Sequence, residues 1–167
     1  TLWTMNSGQF QSPVASHAGD MNGDGNPDLA ILYRFLPQRR IEIYSPSTGT
    51  ALWQVFGSHN ALFGDVMLGD IDVSGDGLPD FLTITAHPTD SDVFVYNNDG
   101  TLRYGVPCVS QGRIAISLAN MGDMDGDGCV DFLVGCNDIT ARGVQLLVSG
   151  QTGTILRQTF GLLPGDN

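Results

Sequence analysis

Long apolar runs are missing from this chain of 167 residues. Its apolar stretches stop far short of the ~20 residues that a membrane-spanning helix needs. No charged-then-apolar leader opens the chain at Thr1, which reads as a mature product or a fragment. Basic residues are scarce: 7 Lys and Arg stand against 18 Asp and Glu, a net charge of −11. No basic patch can form, so nucleic acid is excluded as a partner, and polyphosphate or an anionic membrane surface would be repelled. Helical periodicity is also absent, since no stretch keeps apolar residues at i, i+3, i+4 and i+7, and Gly or Pro interrupts most windows. Cysteine is limited to Cys108, Cys129 and Cys136. No C-x-x-C occurs, which excludes zinc-ribbon and thioredoxin-like chemistry. The odd count leaves at least one thiol free or paired outside the chain. Cys129 and Cys136 flank one short strand and could be joined only if the chain doubles back. Secreted domains commonly use cysteine in disulfides.

Catalytic signatures are lacking too. His17, His59 and His87 stand in separate parts of the chain without H-x-x-H or HExxH spacing. No G-x-S-x-G nucleophile elbow is present. Asp65 and His59 could be drawn as an acid–base pair, but nothing around them supports it. The reading is therefore a non-enzyme. Trp3, Trp53, Tyr33, Tyr44 and Tyr96 fall on strand-like segments and read mainly as packing residues, and Arg39-Arg40 reads as an exposed charge pair.

What the chain does have is glycine, 22 residues, and aspartate. Of the 18 acidic residues only Glu42 is glutamate, and eleven of the aspartates lie in three short clusters. A solvated acidic surface would mix the two types, whereas short aspartates crowded together point to an ion between them. The clusters belong to three repeats. Gly19-Asp20, Gly69-Asp70 and Gly122-Asp123 open similar segments, 50 and 53 residues apart. Each cluster is preceded by a short strand (13–17, 65–68, 114–118) and followed by an apolar one (29–32, 81–84, 132–134). A third strand follows (40–44, 92–96, 143–148), then a turn ending in Gly-Thr, then a fourth strand (52–56, 102–106, 155–160). Four short strands in ~50 residues is the content of one β-propeller blade. The fold class is all-β: three four-stranded antiparallel blades. Thr1-Leu2-Trp3-Thr4 resembles the start of the fourth strand at Thr50-Ala51-Leu52-Trp53, so residues 1–8 are assigned to the outer strand of a preceding blade. Blade 1 is then 9–57, blade 2 is 58–107, blade 3 is 108–161, and 162–167 is a tail. Propellers have about four or more blades, so further blades or further copies are expected to cover the open faces.

The first cluster places oxygen-bearing side chains at alternate positions: Asp20, Asn22, Asp24 and, closing the loop, Asp28. Asn26 offers its backbone carbonyl. Glycines between them permit the tight wrap. The third cluster has the same frame: Asp123, Asp125, Asp127, the carbonyl of Cys129, and Asp131. In the second, Asp70, Asp72, Asp76, the carbonyl of Leu78 and Asp80 are the expected ligands, with Ser74 bulged out or spare. All-oxygen, carboxylate-rich sites select a hard cation, and loop size and flexibility favour Ca²⁺ over Mg²⁺, giving three Ca²⁺ sites. Without an ion, three or four carboxylates within each loop would repel one another. The EF-hand is excluded, because the twelfth position is Ile31, Phe81 or Val134 and the flanks are strands.

With Phe56-Gly57 and Phe160-Gly161 at repeat ends and D-x-[DN]-x-D-G-x-x-D before an apolar strand, the chain resembles the FG-GAP/VCBS repeats of integrin α-like propellers. The resemblance covers about residues 9–161. Val14-Ala15, Val66-Met67 and Ala115-Ile116 match the family's "GAP" element only loosely, and three blades stand here against seven. The resemblance implies Ca²⁺ loops between strands one and two on one rim, a secreted or cell-surface location, and adhesion or recognition of a protein or carbohydrate ligand. One alternative is a structural unit tiling into a filament or large extracellular assembly. Another is the non-catalytic propeller part of a polysaccharide-active enzyme. Partner contacts are expected at the segments that differ between repeats: 35–39, 86–91 and 137–142.

Overall fold

The computed structural model describes residues 14–34, 39–57, 62–86, 92–108, 113–138 and 143–161. Every regular element among them is a strand. Blade 1 holds β1 (Val14–Gly19), β2 (Asp28–Tyr33), β3 (Arg40–Ser45) and β4 (Thr50–Phe56). Blade 2 holds β5 (Leu62–Ile71), β6 (Asp80–Ala86), β7 (Asp92–Tyr96) and β8 (Leu102–Pro107). Blade 3 holds β9 (Arg113–Gly122), β10 (Asp131–Asp138), β11 (Val144–Val148) and β12 (Ile155–Phe160). Each blade is one antiparallel four-stranded meander in chain order. The three repeats therefore fold as expected from their turn and alternation pattern. The first strands run further than the sequence suggested, up to the edge of each aspartate loop. The segment 1–8 lies outside the described residues, as do most of the variable loops.

The sheets stack face to face through strands buried on alternate sides. β1 adjoins β5, and β5 adjoins β9, so the first strands of the blades lie side by side. Ala30, Leu32, Ile41 and Ile43 of blade 1 pack with Phe63, Phe81 and Tyr96 of blade 2. On its other face blade 2 presents Leu82, Ile84, Val93, Val95 and Val106 to Phe132, Val134, Val144, Leu146 and Val148 of blade 3. The strict alternation explains how β6 serves both junctions: Phe81 faces one neighbour, and Leu82 faces the other. Burial of one such Phe contributes about 2–3 kcal/mol.

Two features recur at both junctions. From the fourth strand, Trp53 reaches across and donates its indole N–H to the Asn98 carbonyl at 2.7 Å. At the same place in blade 2, the Tyr104 hydroxyl donates to the Gly150 carbonyl. Both rings lie over a glycine of the next blade's turn, Gly100 and Gly153, where an added Cβ would come within 2.8 Å of the ring. A disulfide joins Cys108, at the end of blade 2, to Cys136 in β10 of blade 3. The pairing across blades was not visible in the sequence, and Cys129 is left as a buried free thiol.

The polar residues weighed above find structural partners. Arg39 bonds Asp65 at 2.9 Å and the Phe63 carbonyl at 3.3 Å, and Arg34 reaches the same carboxylate at 3.3 Å. Arg40 pairs with Glu42 at 3.5 Å and lies over the Tyr33 ring. Arg39-Arg40 is thus a half-buried, partnered pair instead of an exposed one. His59 and His87 lie outside the described residues.

Candidate metal centre

Each first strand delivers the chain through a one-residue bulge into an aspartate loop, and each loop ends on the aspartate that starts the second strand. In loop 1 the carboxylate of Asp20 accepts the amides of Asp24 at 2.9 Å and Gly25 at 2.7 Å. Asp24 accepts the amide of Asn26 at 2.9 Å. Asp28, fully buried, accepts the amide of Met21 at 3.0 Å. Loop 3 repeats the pattern. Asp123 accepts Gly126, Asp127 and Gly128 amides, Asp127 accepts that of Cys129, and buried Asp131 accepts that of Met124. The glycines at the fourth and sixth places all have positive φ, between 71° and 90°. A side chain at those places would strain the wrap.

Loop 2 corrects the alignment drawn from sequence. Asp72, not Asp70, accepts the amides of Gly75 at 2.7 Å and Gly77 at 2.9 Å, as Asp20 does in loop 1. Asp76 accepts that of Leu78, and buried Asp80 accepts Val73 at 3.0 Å and Ser74 at 2.8 Å. The frame is therefore Asp72, Ser74, Asp76, Leu78 and Asp80, with no insertion, and Ser74 holds the place of Asn22 and Asp125. Asp70 precedes the loop, exposed, in a left-handed conformation at φ 57°, with His17 at 3.9 Å from its carboxylate. Gly69-Asp70 imitates the Gly19-Asp20 dipeptide, but Ile71 is the residue that pairs with the closing Asp80, as Gly19 pairs with Asp28 and Gly122 with Asp131.

The closing carboxylates differ. Oδ1 of Asp28 and Oδ1 of Asp80 are buried and accept no hydrogen bond, with the Ser45 and Ser74 side chains near the two carboxyls only partly offsetting the burial. Burial pushes both carboxyls upward, Asp80 to about 6. In loop 3, Asp131 has donors on both oxygens, the second being the Gly150 amide at 2.9 Å. Carboxylate oxygens of Asp123, Asp125 and Asp131 lie within 4.8 Å of one another. Around Asp24, the Ser47 hydroxyl is the main cause that holds the carboxyl low.

Sequence reasoning missed this outer layer, which comes from the turn after each third strand. Ser45 and Ser47 contact Asn22 and Asp24, and Ser149 approaches Asp127 at 3.5 Å. The signal was present as a serine at the same repeat position, Ser45 and Ser149, with Asn97 in blade 2. The loops also touch: the Val130 amide donates to the Asp72 carbonyl at 2.9 Å. Cys129 packs toward Gly75, and burial first, then the charges of Asp127 and Asp72, raise its thiol, so it is not poised for reaction.

Residues 72–134 match the family described as FG-GAP-like repeat. Over that stretch the chain is similar to an FG-GAP-like repeat. The match opens on Asp72, the residue that the hydrogen bonds place first in loop 2, and runs through blade 2 into β10. Among curated proteins none matches the chain at a significant level. The match covers one of the three repeats and the start of the next, and the same four-stranded sheet recurs three times among the described residues. Among the described residues no helix is long and apolar enough to cross a membrane.

The residues fit a hard cation. The donor set is oxygen throughout, two buried carboxylate oxygens accept no hydrogen bond, and a third loop brings three carboxylates together. Asp20, Asn22, Asp24, Asn26 and Asp28 would hold it in loop 1. Asp72, Ser74, Asp76, Leu78 and Asp80 would do so in loop 2, and Asp123, Asp125, Asp127, Cys129 and Asp131 in loop 3, with Asn26, Leu78 and Cys129 acting through backbone carbonyls.

Proposed function

We propose that this chain is a Ca²⁺-binding propeller module that recognises a protein or carbohydrate partner outside the cytosol, binding and not catalysing. The observation that carries the calcium reading is the pair of orphaned oxygens, Asp28 Oδ1 and Asp80 Oδ1. A buried carboxylate oxygen without a donor costs folding free energy unless a cation meets it. Bound Ca²⁺ supplies positive charge that cross-links the loop, and the chain's own residues provide the cage and its hydrogen-bonded frame. The Cys108–Cys136 disulfide favours an oxidising compartment. Recognition is favoured by a depression of about 330 Å³ on blade 3, where Ser117, Gln145 and Thr159 stand beside Ile116 and Phe160.

Calorimetric titration with CaCl₂ tests the first half: three sites with Kd of about 10⁻⁴–10⁻³ M are expected. No heat and no melting shift at 10 mM Ca²⁺ would overturn it.

Tiling of the module into a larger assembly is the second reading. Six exposed large apolar side chains (Ile116, Met121, Met124, Ile155, Leu156 and Phe160) lie on blade 3 among the described residues. Light scattering separates the two, because tiling requires multimers without any added partner.

A further inference from the structure

The three loops share a frame but differ in what meets the closing carboxylate. Tyr44, Tyr96 and Val148 hold the same register against the second strands, and two residues past the first of them blade 1 has Pro46, which carries no N–H. Blade 2 has Asn98, whose amide leaves Asp80 Oδ1 without a partner. Blade 3 has Gly150, whose amide donates to Asp131 Oδ1 at 2.9 Å. The same Gly150 accepts, through its carbonyl, the hydroxyl of Tyr104 from blade 2. One peptide residue thus connects the neighbouring blade to the buried carboxylate of loop 3. Gly150 is also tightly seated, since a Cβ there would meet the Val130 carbonyl at 2.0 Å. The Val130 amide in turn holds the Asp72 carbonyl of loop 2. Tyr104 is half-buried, and burial pushes its hydroxyl well above the usual tyrosine range, so it stays a proton donor at any ordinary pH.

We propose that Tyr104 is a positioning residue for the cation site of loop 3, acting through Gly150 on Asp131, so that the junction of blades 2 and 3 and the occupancy of that site control each other. The proposal rests on the calcium reading above. A donor fixed on Oδ1 leaves Asp131 only one orientation in which its remaining lone pairs face Asp123 and Asp125. By linkage, a cation that prefers this orientation tightens the Tyr104 contact to the same degree. Trp53 makes the corresponding cross-blade bond at the first junction, but to a residue that makes no hydrogen bond to Asp80 Oδ1. It therefore serves as the control.

The test uses Ca²⁺ alone as probe. With loops 1 and 2 silenced by D28N and D80N, a calorimetric isotherm reports loop 3. Adding Y104F, which keeps the ring over Gly153 and deletes only the donor, should weaken Ca²⁺ binding about three- to tenfold, the range of one hydrogen bond. In a D28N/D131N background, which reports loop 2, W53F should leave the affinity unchanged. An unchanged isotherm with Y104F overturns the proposal, as does an equal loss in the W53F control, which would indicate general loosening. If the background with Tyr104 intact binds no Ca²⁺, the calcium reading of loop 3 falls and takes this proposal with it. Should Y104F fail to fold, hydrogen exchange on the unaltered chain decides. The Gly150 amide must exchange several-fold more slowly once Ca²⁺ is added, and unchanged exchange overturns the coupling.

Discussion

Replacing Asp80 by asparagine should change the sign of its effect with calcium. Asp80 is completely buried, its Oδ2 is held by the Val73 and Ser74 amides, and its Oδ1 accepts no hydrogen bond. Burial moves its carboxyl from 3.8 to about 6. At ~1.4 kcal/mol per unit, the ionised group costs the cation-free fold about 3 kcal/mol at pH 7.5. Asparagine keeps an acceptor for the two amides but leaves its own N–H groups unpaired, at about 1–2 kcal/mol. The net gain for D80N in chelator is about 1–2 kcal/mol, or roughly 2–8 °C in melting temperature for a chain of this size. In excess Ca²⁺ the order reverses, because the unaltered loop gains a cation that D80N holds poorly. The sign with pH follows from linkage. The folded carboxyl binds its proton more tightly than the unfolded one, so its cost is absent below about 3.8, grows as pH rises, and is complete above about 6. The advantage of D80N in chelator therefore shrinks between pH 7.5 and pH 5. Circular-dichroism melts in EDTA and in CaCl₂, at both pH values, measure all four terms. A D80N chain that melts below the unaltered one in EDTA at pH 7.5, with no narrowing at pH 5, would refute the account of Asp80 as an uncompensated buried charge.

Asp70→Asn should leave the Ca²⁺ isotherm unchanged, whereas Asp72→Asn should remove one of three sites; equal effects would return Asp70 to the loop. Reducing the Cys108–Cys136 disulfide, which closes a separation of 28 residues, should lower stability by about 3–4 kcal/mol in urea titrations. Gly153→Ala should destabilise by about 1–3 kcal/mol through displacement of the Tyr104 ring on top of backbone strain, while Gly25→Ala, with open space around it, should show the strain alone. Denaturant midpoints of the two variants check the difference.

The fold was legible because each repeat states it three times. Alternation in 40–44 and 92–96, the paired apolar runs after the loops, and the Gly-Thr turns left little choice of strands. Loop 2 was misread for a local reason: the Gly69-Asp70 dipeptide looks like Gly19-Asp20. Reading backward from the fixed end would have served better, since Gly75-Asp76-Gly77 and Asp80 set the frame as Gly23-Asp24-Gly25 and Asp28 do. What sequence alone could not give were contacts between blades. Cys108 follows directly on β8 of blade 2 and Cys136 lies in β10 of blade 3, and they meet only because a fourth strand ends beside a neighbour's second. Trp53 looked like a packing residue and Tyr104 carried no signal, and their hydrogen bonds end on Asn98 and Gly150, 45 and 46 positions further along the chain. Arg39 and Asp65 likewise meet across two repeats.

Both cross-blade bonds run the same way, from a fourth-strand ring of one sheet to a turn carbonyl of the next. The stack consequently has polarity, with a donating end and an accepting end, like a chain of hooks and eyes. A unit added by the same chemistry must join head to tail, so growth closes into a ring or winds into a spiral, and a two-fold pair of equivalent faces would need a different contact altogether.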